Sequence, residues 1–340
     1  MRSSAESQSG IAVIRLSAMG DIIHTLPAAA SLKQSFPDRK LVWIVAPRWM
    51  PLLEGNPYID ELVPFERSGF GALKSSWRRL RKIEAGLVLD FQGLVYSALL
   101  ARAIQPEAIY GFHRSVARES LASLFYTHRI PVRGPHRVER NVQLVEAAGG
   151  RRLTHTAWIP PGAPEDSTPE GPFILAAPFA GWAGKEWPLE KYEALGKRLH
   201  AEGIDLVANI PAHRAGEVMK LKHVRPHTST IRGLIAATRS ATAVLGVDSG
   251  PLHLAAALGK PGVGLFGPTD PACTGPYGGS MSVIRAQDVK TTYKRHARIH
   301  ASMRAISVDQ VFRALIDAIH KAADGPASST TAAAVAVTQT

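Results

Sequence analysis

The feature that most narrows the fold is an alternation that runs along the chain twice. Short apolar, β-branched-rich runs stand at residues 11–16 (IAVIRL), 41–46 (LVWIVA) and 86–91 (GLVLDF). Helical patterns fill the gaps: one from the SAMGD turn to about Ser35, then 72–84, 94–104 and 136–148. Continuous apolar runs of this length read as parallel strands buried on both faces, and their alternation with helices predicts a parallel α/β layer. The pattern stops between Pro160 and Pro172 in PPGAPEDSTPEGP, whose Pro, Gly and acidic content suits a linker. It then restarts, with strands at 173–178, 204–209, 243–247 and 263–267 and helices over 189–202 and 231–239. Ser307 and Gln310 form a capping-box pair that opens a last helix, with Val311, Leu315 and Ile319 on one face.

At 340 residues the chain exceeds what one core usually carries. The expected division is a disordered start (1–10), a Rossmann-like domain (11–160), a linker (161–172), a second Rossmann-like domain (173–323) and a disordered Ala/Ser/Thr-rich tail (324–340). Ligands of such folds sit at the carboxyl ends of the strands, here in a cleft between the two units.

Charge narrows the partners. The chain carries 40 Lys and Arg against 28 Asp and Glu, a net of +12, of which +8 falls in residues 1–160. That bias suggests an anionic partner: nucleic acid, an anionic lipid surface or a phosphorylated substrate. Nucleic acid is disfavoured, because the basic residues lack interleaved aromatics and no standard binding motif occurs. No apolar run reaches the ~18 residues of a membrane-spanning helix. The polar start MRSSAESQSG is not a secretory signal, and Cys273, the single cysteine, forms no internal disulfide, so a cytoplasmic location is expected.

Four segments carry candidate chemistry. In Ser17-Ala18-Met19-Gly20-Asp21, Gly20 permits a tight turn after the first strand and Asp21 lands at a helix start. Asp21 either caps that helix or is a catalytic carboxylate facing the cleft. Pro27 should kink the helix that follows. In Gly246-Val247-Asp248-Ser249-Gly250-Pro251-Leu252-His253, a strand delivers a small polar turn into a helix whose free N–H groups suit a phosphate. Asp248 and Ser249 could equally be plain caps. Gly267-Pro268-Thr269-Asp270, ending the next strand, would line the same cleft. Lys185, in GWAGKEWP, is either a solvated loop lysine or a point charge for a phosphate.

The fourth segment is the basic stretch 67–82. On a helix, Lys74, Arg78, Arg81 and Lys82 fall within about 100° of arc beside an apolar stripe of Leu73, Trp77 and Leu80. This is a solvated face, or an anion-binding arm touching a membrane through Trp77. His296 and His300 have a helical metal-pair spacing, but no carboxylate or cysteine completes a set, so no metal site is expected. The chain has no Asp-x-Asp pair, which disfavours a nucleotide-sugar enzyme holding a divalent metal that way.

Together these segments resemble the bacterial ADP-heptose:lipopolysaccharide heptosyltransferases, glycosyltransferases of the GT-B architecture, over roughly residues 11–320. IRLSAMGDIIHTLPA, GVDSGPLHLAAALGKPGVGLFGPTDP and ISVDQVFRALIDAI carry the resemblance, while DFQGLVYSALL and ARESLASLFY are most similar to heptosyltransferase I. The resemblance implies inverting transfer of heptose from ADP-heptose to a Kdo residue of Kdo–lipid A, without a cofactor. The enzyme would be a monomer, working in the cytoplasm or at the cytoplasmic face of the inner membrane. It makes Asp21 the general base and gives Lys185 the diphosphate. Asp248, Ser249, Gly250, His253 and Thr269 join the nucleotide-sugar site, with Glu217 as a ribose or adenine contact. Ser17, Gly20, Gln92, Arg118 and the basic arm (Lys74, Arg78, Arg79, Arg81, Lys82) would meet the acceptor. Two departures stand out: Ala180 and Gly181 replace threonines common before the lysine, leaving backbone N–H groups to face the phosphate, and the loop 210–217 strays from the family pattern. Alternatives within this frame are another acceptor in the same family, or a GT-B-shaped epimerase.

Overall fold

The computed structural model describes residues 9–165, 171–287 and 289–324. Of the disordered start expected at 1–10 and the tail expected at 324–340, residues 1–8 and 325–340 lie outside the described residues, as does the middle of the linker at 166–170, while Gly10 opens the first strand and Asp324 caps the last helix. The first half runs β1 (Gly10–Ile14), α1 (Met19–Ile23), α2 (Leu26–Ser35), β2 (Leu41–Val45), β3 (Glu61–Pro64), α3 (Phe70–Leu80), β4 (Ala85–Asp90), α4 (Val95–Ala103), β5 (Ala108–Phe112), β6 (His128–Ile130) and α5 (Arg137–Ala147). The second runs β7 (Phe173–Ala177), α6 (Leu189–Ala201), β8 (Asp205–Asn209), α7 (Ala215–Val218), β9 (Arg225–His227), α8 (Ile231–Ser240), β10 (Ala243–Val247), α9 (Gly250–Ala257), β11 (Gly262–Phe266), α10 (Pro271–Thr274), β12 (Met281–Arg285), α11 (Ala301–Ala305) and α12 (Val308–Ala323).

Each half builds one six-stranded parallel sheet, ordered β3-β2-β1-β4-β5-β6 and β12-β11-β10-β7-β8-β9. In both orders the chain starts at an inner strand and fills the sheet outward on either side of it. The direction of winding reverses between β1 and β4 in one sheet and between β7 and β10 in the other. Adjacent loops there part to opposite faces of the sheet and open a crevice. The turn holding Asp21 follows β1 and Gln92 follows β4; the Lys185 loop follows β7 and Asp248 follows β10. The candidate residues therefore stand at the two places where this topology makes ligand sites.

The central strands β1, β2, β7, β10 and β11 are buried at every position, as their unbroken apolar runs require. Each fully buried Ile, Leu or Val contributes ~2 kcal/mol. Five strands lacked a matching run. β3, β6, β9 and β12 are edge or near-edge strands with exposed positions, and β5 alternates around Gly111. Pro27 does not kink a long helix: the stretch splits into α1 and α2, and Pro27 sits in the first turn of α2, where no N–H is needed. α3 ends at Leu80, so Arg81 is its C-cap and Lys82 lies beyond it, and the expected cationic arc is reduced to Lys74 and Arg78. Trp77 packs, partly buried, against the core that contains Leu80. Among the described residues no helix is long and apolar enough to cross a membrane.

The halves meet where α1 lies on α9. A Cβ on Gly20 would stand 2.3 Å from the His253 ring, and one on Gly250 would stand 2.7 Å from the Met19 side chain. Glycine at both positions lets the two helices touch. A second contact joins α8 to the turn Pro47–Leu52, with Arg232 paired to Glu54 and Arg239 donating to Ile159 O at 2.9 Å.

Candidate functional site

The front cluster is built on the end of β1. Arg15 follows the strand into the interior, and a buried guanidinium is tolerable only when paired. Its Nη2 lies 2.9 Å from Asp21 Oδ1, and its Nη1 donates to Phe91 O. Arg137, the first residue of α5, pairs with the same Oδ1. Asp21 Oδ2 accepts a long bond, 3.4 Å, from the Ala18 N–H. Burial alone would push the Asp21 carboxyl up, but Arg15 and Arg137 outweigh it and hold it well below the usual carboxylate range. Helix capping is thus a minor part of what Asp21 does. Gln92 shapes the turn from beneath, its Oε1 accepting from the N–H groups of Leu16 (3.0 Å) and Ser17 (3.4 Å). Gln92 is in turn fixed by Asp90, whose Oδ1 accepts the Gln92 N–H at 2.8 Å.

The back cluster forms around Asp248. Lys185 Nζ donates to Asp248 O at 2.6 Å and to Oδ2 at 3.1 Å. His253 Nε2 stands 3.6 Å from Oδ1. Burial would raise the Asp248 carboxyl, and His253 and Lys185 pull it well below its ordinary value. Neither capping alternative holds here: Ser249 is the N-cap residue of α9, yet no side-chain cap bond forms. Ser249 Oγ and His253 Nδ1 are buried without hydrogen-bond partners, and Thr269 stands beside the Asp248 carboxylate. Each such group costs ~1–3 kcal/mol when left unmet. Two of them at a helix start, next to a lysine, form a polar socket suited to an anionic ligand.

Histidines fill the seam between the clusters. The His24 ring lies 4.4 Å from His253 and 5.3 Å from His136, centre to centre. His136 Nδ1 accepts the Val138 N–H at 3.1 Å, so its Nε2 carries the proton and donates to Gly275 O at 3.1 Å. Burial first, then its two histidine neighbours, hold His24 well below the ordinary histidine value, so it is neutral at pH 7.

The remaining expected residues are spread wider. Arg214 holds Glu217 through two bonds of 2.6 and 2.8 Å and reaches Glu186 at 2.7 Å. The Ala180 N–H, expected to face a phosphate, donates to Glu186 Oε1 at 3.3 Å. α3 packs on β3 and α4. There Arg79 is tied to Ser75 (3.0 Å), Ser76 (3.1 Å) and Pro64 O (3.3 Å), while Lys74, Arg78, Arg81 and Lys82 are exposed. Among the described residues no ion pair joins these cations to Asp21. Arg118 is exposed and near enough to Arg15 to act on its charge. His296 and His300 are not on a helix; their segment leads into α11. Sequence reasoning passes over Arg15, Arg137, His24 and His136. Arg15 does leave a signal, as the one charge in an otherwise apolar strand run.

Two Rossmann-like units of related topology, with a carboxylate at one crevice and a lysine-bearing helix-start socket at the other, have the GT-B architecture. The model of glycosyltransferase family 9 (heptosyltransferase) matches residues 73–301, and the chain belongs to that family. It is 31% identical over 292 residues to lipopolysaccharide heptosyltransferase 1 of Pseudomonas aeruginosa, covering 80% of this chain and 82% of that protein. Among solved structures it resembles E. coli heptosyltransferase WaaC with ADP, at a TM-score of 0.72 and 24% identity, covering 89% and 98% of the two chains. It also resembles E. coli ADP-heptose lps heptosyltransferase II, at a TM-score of 0.76 and 21% identity, covering 92% and 99%.

Proposed function

We propose that the protein transfers heptose from ADP-heptose to a Kdo residue of Kdo–lipid A, with inversion at the anomeric carbon, in building the lipopolysaccharide inner core. The observation that carries this reading is the opposition of Asp21 and the Lys185–Asp248 socket across the contact of α1 with α9. The donor diphosphate would lie on Lys185 and the N-terminus of α9, with Ser249, Gly250, Thr269 and His253 around it. Asp248 would orient the lysine or meet a sugar hydroxyl. Glu217, through its pair with Arg214, would sit toward the ribose or adenine.

Asp21 would take the proton of the acceptor hydroxyl as that oxygen bonds to the anomeric carbon. The bond from that carbon to the diphosphate breaks on the opposite face, and ADP leaves with the electron pair. Asp21 is a weak base in the resting protein, but the hydroxyl becomes acidic as its oxygen commits to bonding. Charge on departing ADP is met by fixed N–H donors and cations, so the reading asks for no cofactor.

The acceptor side would use Ser17, Arg118 and the cations of α3 for phosphates and carboxylates, with Gly20 seating α1 against His253 and Gln92 fixing the turn. The same cationic face suits the anionic inner membrane, which holds the lipid acceptor. Mass spectrometry tests the proposal. Kdo–lipid A incubated with ADP-heptose and the protein should gain one heptosyl unit. Gain on singly heptosylated acceptor alone would reassign the acceptor, and an isomerised donor without acceptor would mark an epimerase.

A further inference from the structure

Residues 289–300 carry Lys290, Lys294, Arg295 and Arg298, together with His296 and His300, and contain no Asp or Glu. The backbone of this segment is tied to both loops of the back cluster. The Thr292 N–H donates to Pro268 O at 2.8 Å, the Gly184 N–H to His296 O at 3.3 Å, and the His300 N–H to Gly184 O at 3.3 Å. Pro268 precedes Thr269 and Gly184 precedes Lys185, so the segment crosses from the end of β11 to the loop after β7. Rings extend the link to the lysine. Lys185 Nζ is 5.8 Å from the centre of Trp182, whose ring lies 6.2 Å from that of His296. An open pocket of about 450 Å³ is lined by residues 296–300 of the same segment and by Ala301 at the start of α11.

At the back cluster Lys185 is matched by Asp248, while Arg15 and Arg137 share the single carboxylate of Asp21 in the front cluster. Among the described residues, Lys290, Lys294, Arg295 and Arg298 are exposed and make neither an ion pair nor a side-chain hydrogen bond. Four like charges within residues 290–298 raise the local potential and draw in an anion. A Lys185–Asp248 pair is nearly neutral as seen from a distance, so it cannot by itself offset a diphosphate.

We infer that residues 289–300 are a basic strap across the donor diphosphate, in which Lys294, Arg295 and Arg298 supply the net positive charge that the Lys185–Asp248 pair lacks. The inference rests on reading the back half as a sugar-nucleotide site. Its charge would act on the phosphates and on the departing ADP, and not on the neutral nucleoside.

The test is calorimetric binding of ADP, AMP and adenosine to the full chain and to the triple variant Lys294→Gln/Arg295→Gln/Arg298→Gln, at low and high salt. The variant should lose about tenfold or more in ADP affinity and less for AMP, and its ADP affinity should depend less steeply on salt. Adenosine binding should not change, which also shows that the site is folded. Exchanging each cation for the other type (Lys294→Arg/Arg295→Lys/Arg298→Lys) should keep ADP affinity near wild type. Equal ADP affinity and salt dependence in wild type and triple variant would overturn the strap while leaving the donor site standing. The strap is likewise overturned if the triple variant keeps ADP affinity but loses co-sedimentation with phosphatidylglycerol vesicles, which would assign the segment to a membrane. Wild-type protein that bound no ADP would overturn the donor-site reading and the strap with it.

Discussion

Asp21 and Asp248 occupy related places in two parallel sheets, each just beyond a strand that borders the crossover point. Their charges are balanced differently. Asp21 gives one oxygen to two guanidiniums, Arg15 buried and Arg137 about one-third exposed, and leaves Oδ2 with a single long N–H contact among the described residues. Asp248 has both oxygens engaged, one by Lys185 and the other beside His253 and Thr274. A carboxylate with an open oxygen can accept a proton from a substrate. One with both oxygens engaged organises its neighbours. In the proposed reaction the same fold supplies a base in one half and an organiser in the other, and the difference lies in which cations the flanking turns deliver.

The sharpest way to break this contrast is Asp21→Asn, which keeps the shape of the side chain and removes its charge. Turnover should fall on the order of a hundredfold or more, while donor affinity does not weaken. Near-normal turnover would remove Asp21 from the chemistry. Lys185→Ala attacks the other half, and ADP affinity should fall roughly thirtyfold, about 2 kcal/mol, by calorimetry; an unchanged affinity would take the diphosphate away from the lysine.

Arg137→Gln sharpens the comparison through pH. Asp21 is held below its unfolded value of about 3.9 by two cations, so it stays ionised and rate is insensitive to it at neutral pH. Removing one cation raises the carboxyl, so the acid limb of the rate profile should move to higher pH, with a loss of a few-fold at neutrality. An unmoved limb would mean that Arg137 does not set the charge of Asp21. For stability the sign is fixed in the same way. Both depressed carboxylates stabilise the fold fully above their unfolded values, and that contribution is lost as pH falls through their lower folded ones. Denaturant midpoints should therefore be flat from about pH 7 to 8, begin to fall below about pH 6.5 as unfolded His24 and His136 take up protons that their buried folded forms resist, and fall further below about pH 4. The smallest effect is expected for Glu217→Gln: its carboxylate is half exposed and paired locally with Arg214, and donor affinity should change less than about threefold.

Much of the fold is legible in the sequence because central parallel strands are buried on both faces and must be apolar throughout. β1, β2, β7, β10 and β11 stand out for that reason. The edges are not legible. β12 needs one apolar face at most, and β6 and β9 are three residues long. Asp21, Lys185 and Asp248 are readable from small-residue turns at strand ends, because a backbone that another group approaches closely advertises its glycines, as Gly20 and Gly250 do where α1 touches α9. Their partners are hidden: Arg137 lies 116 residues from Asp21, and only tertiary packing brings α5 to the end of β1. The strap over residues 289–300 hides behind the spacing of His296 and His300, which points to a poor metal pair and away from the unmatched lysines and arginines around them.

The most direct test of the division of labour is to measure kcat and ADP affinity side by side for Asp21→Asn and Asp248→Asn. The account predicts a crossed result: the first variant loses turnover and keeps ADP, while the second loses ADP affinity by about tenfold as Lys185 is set adrift. Two variants that lose the same quantity to the same extent would contradict it.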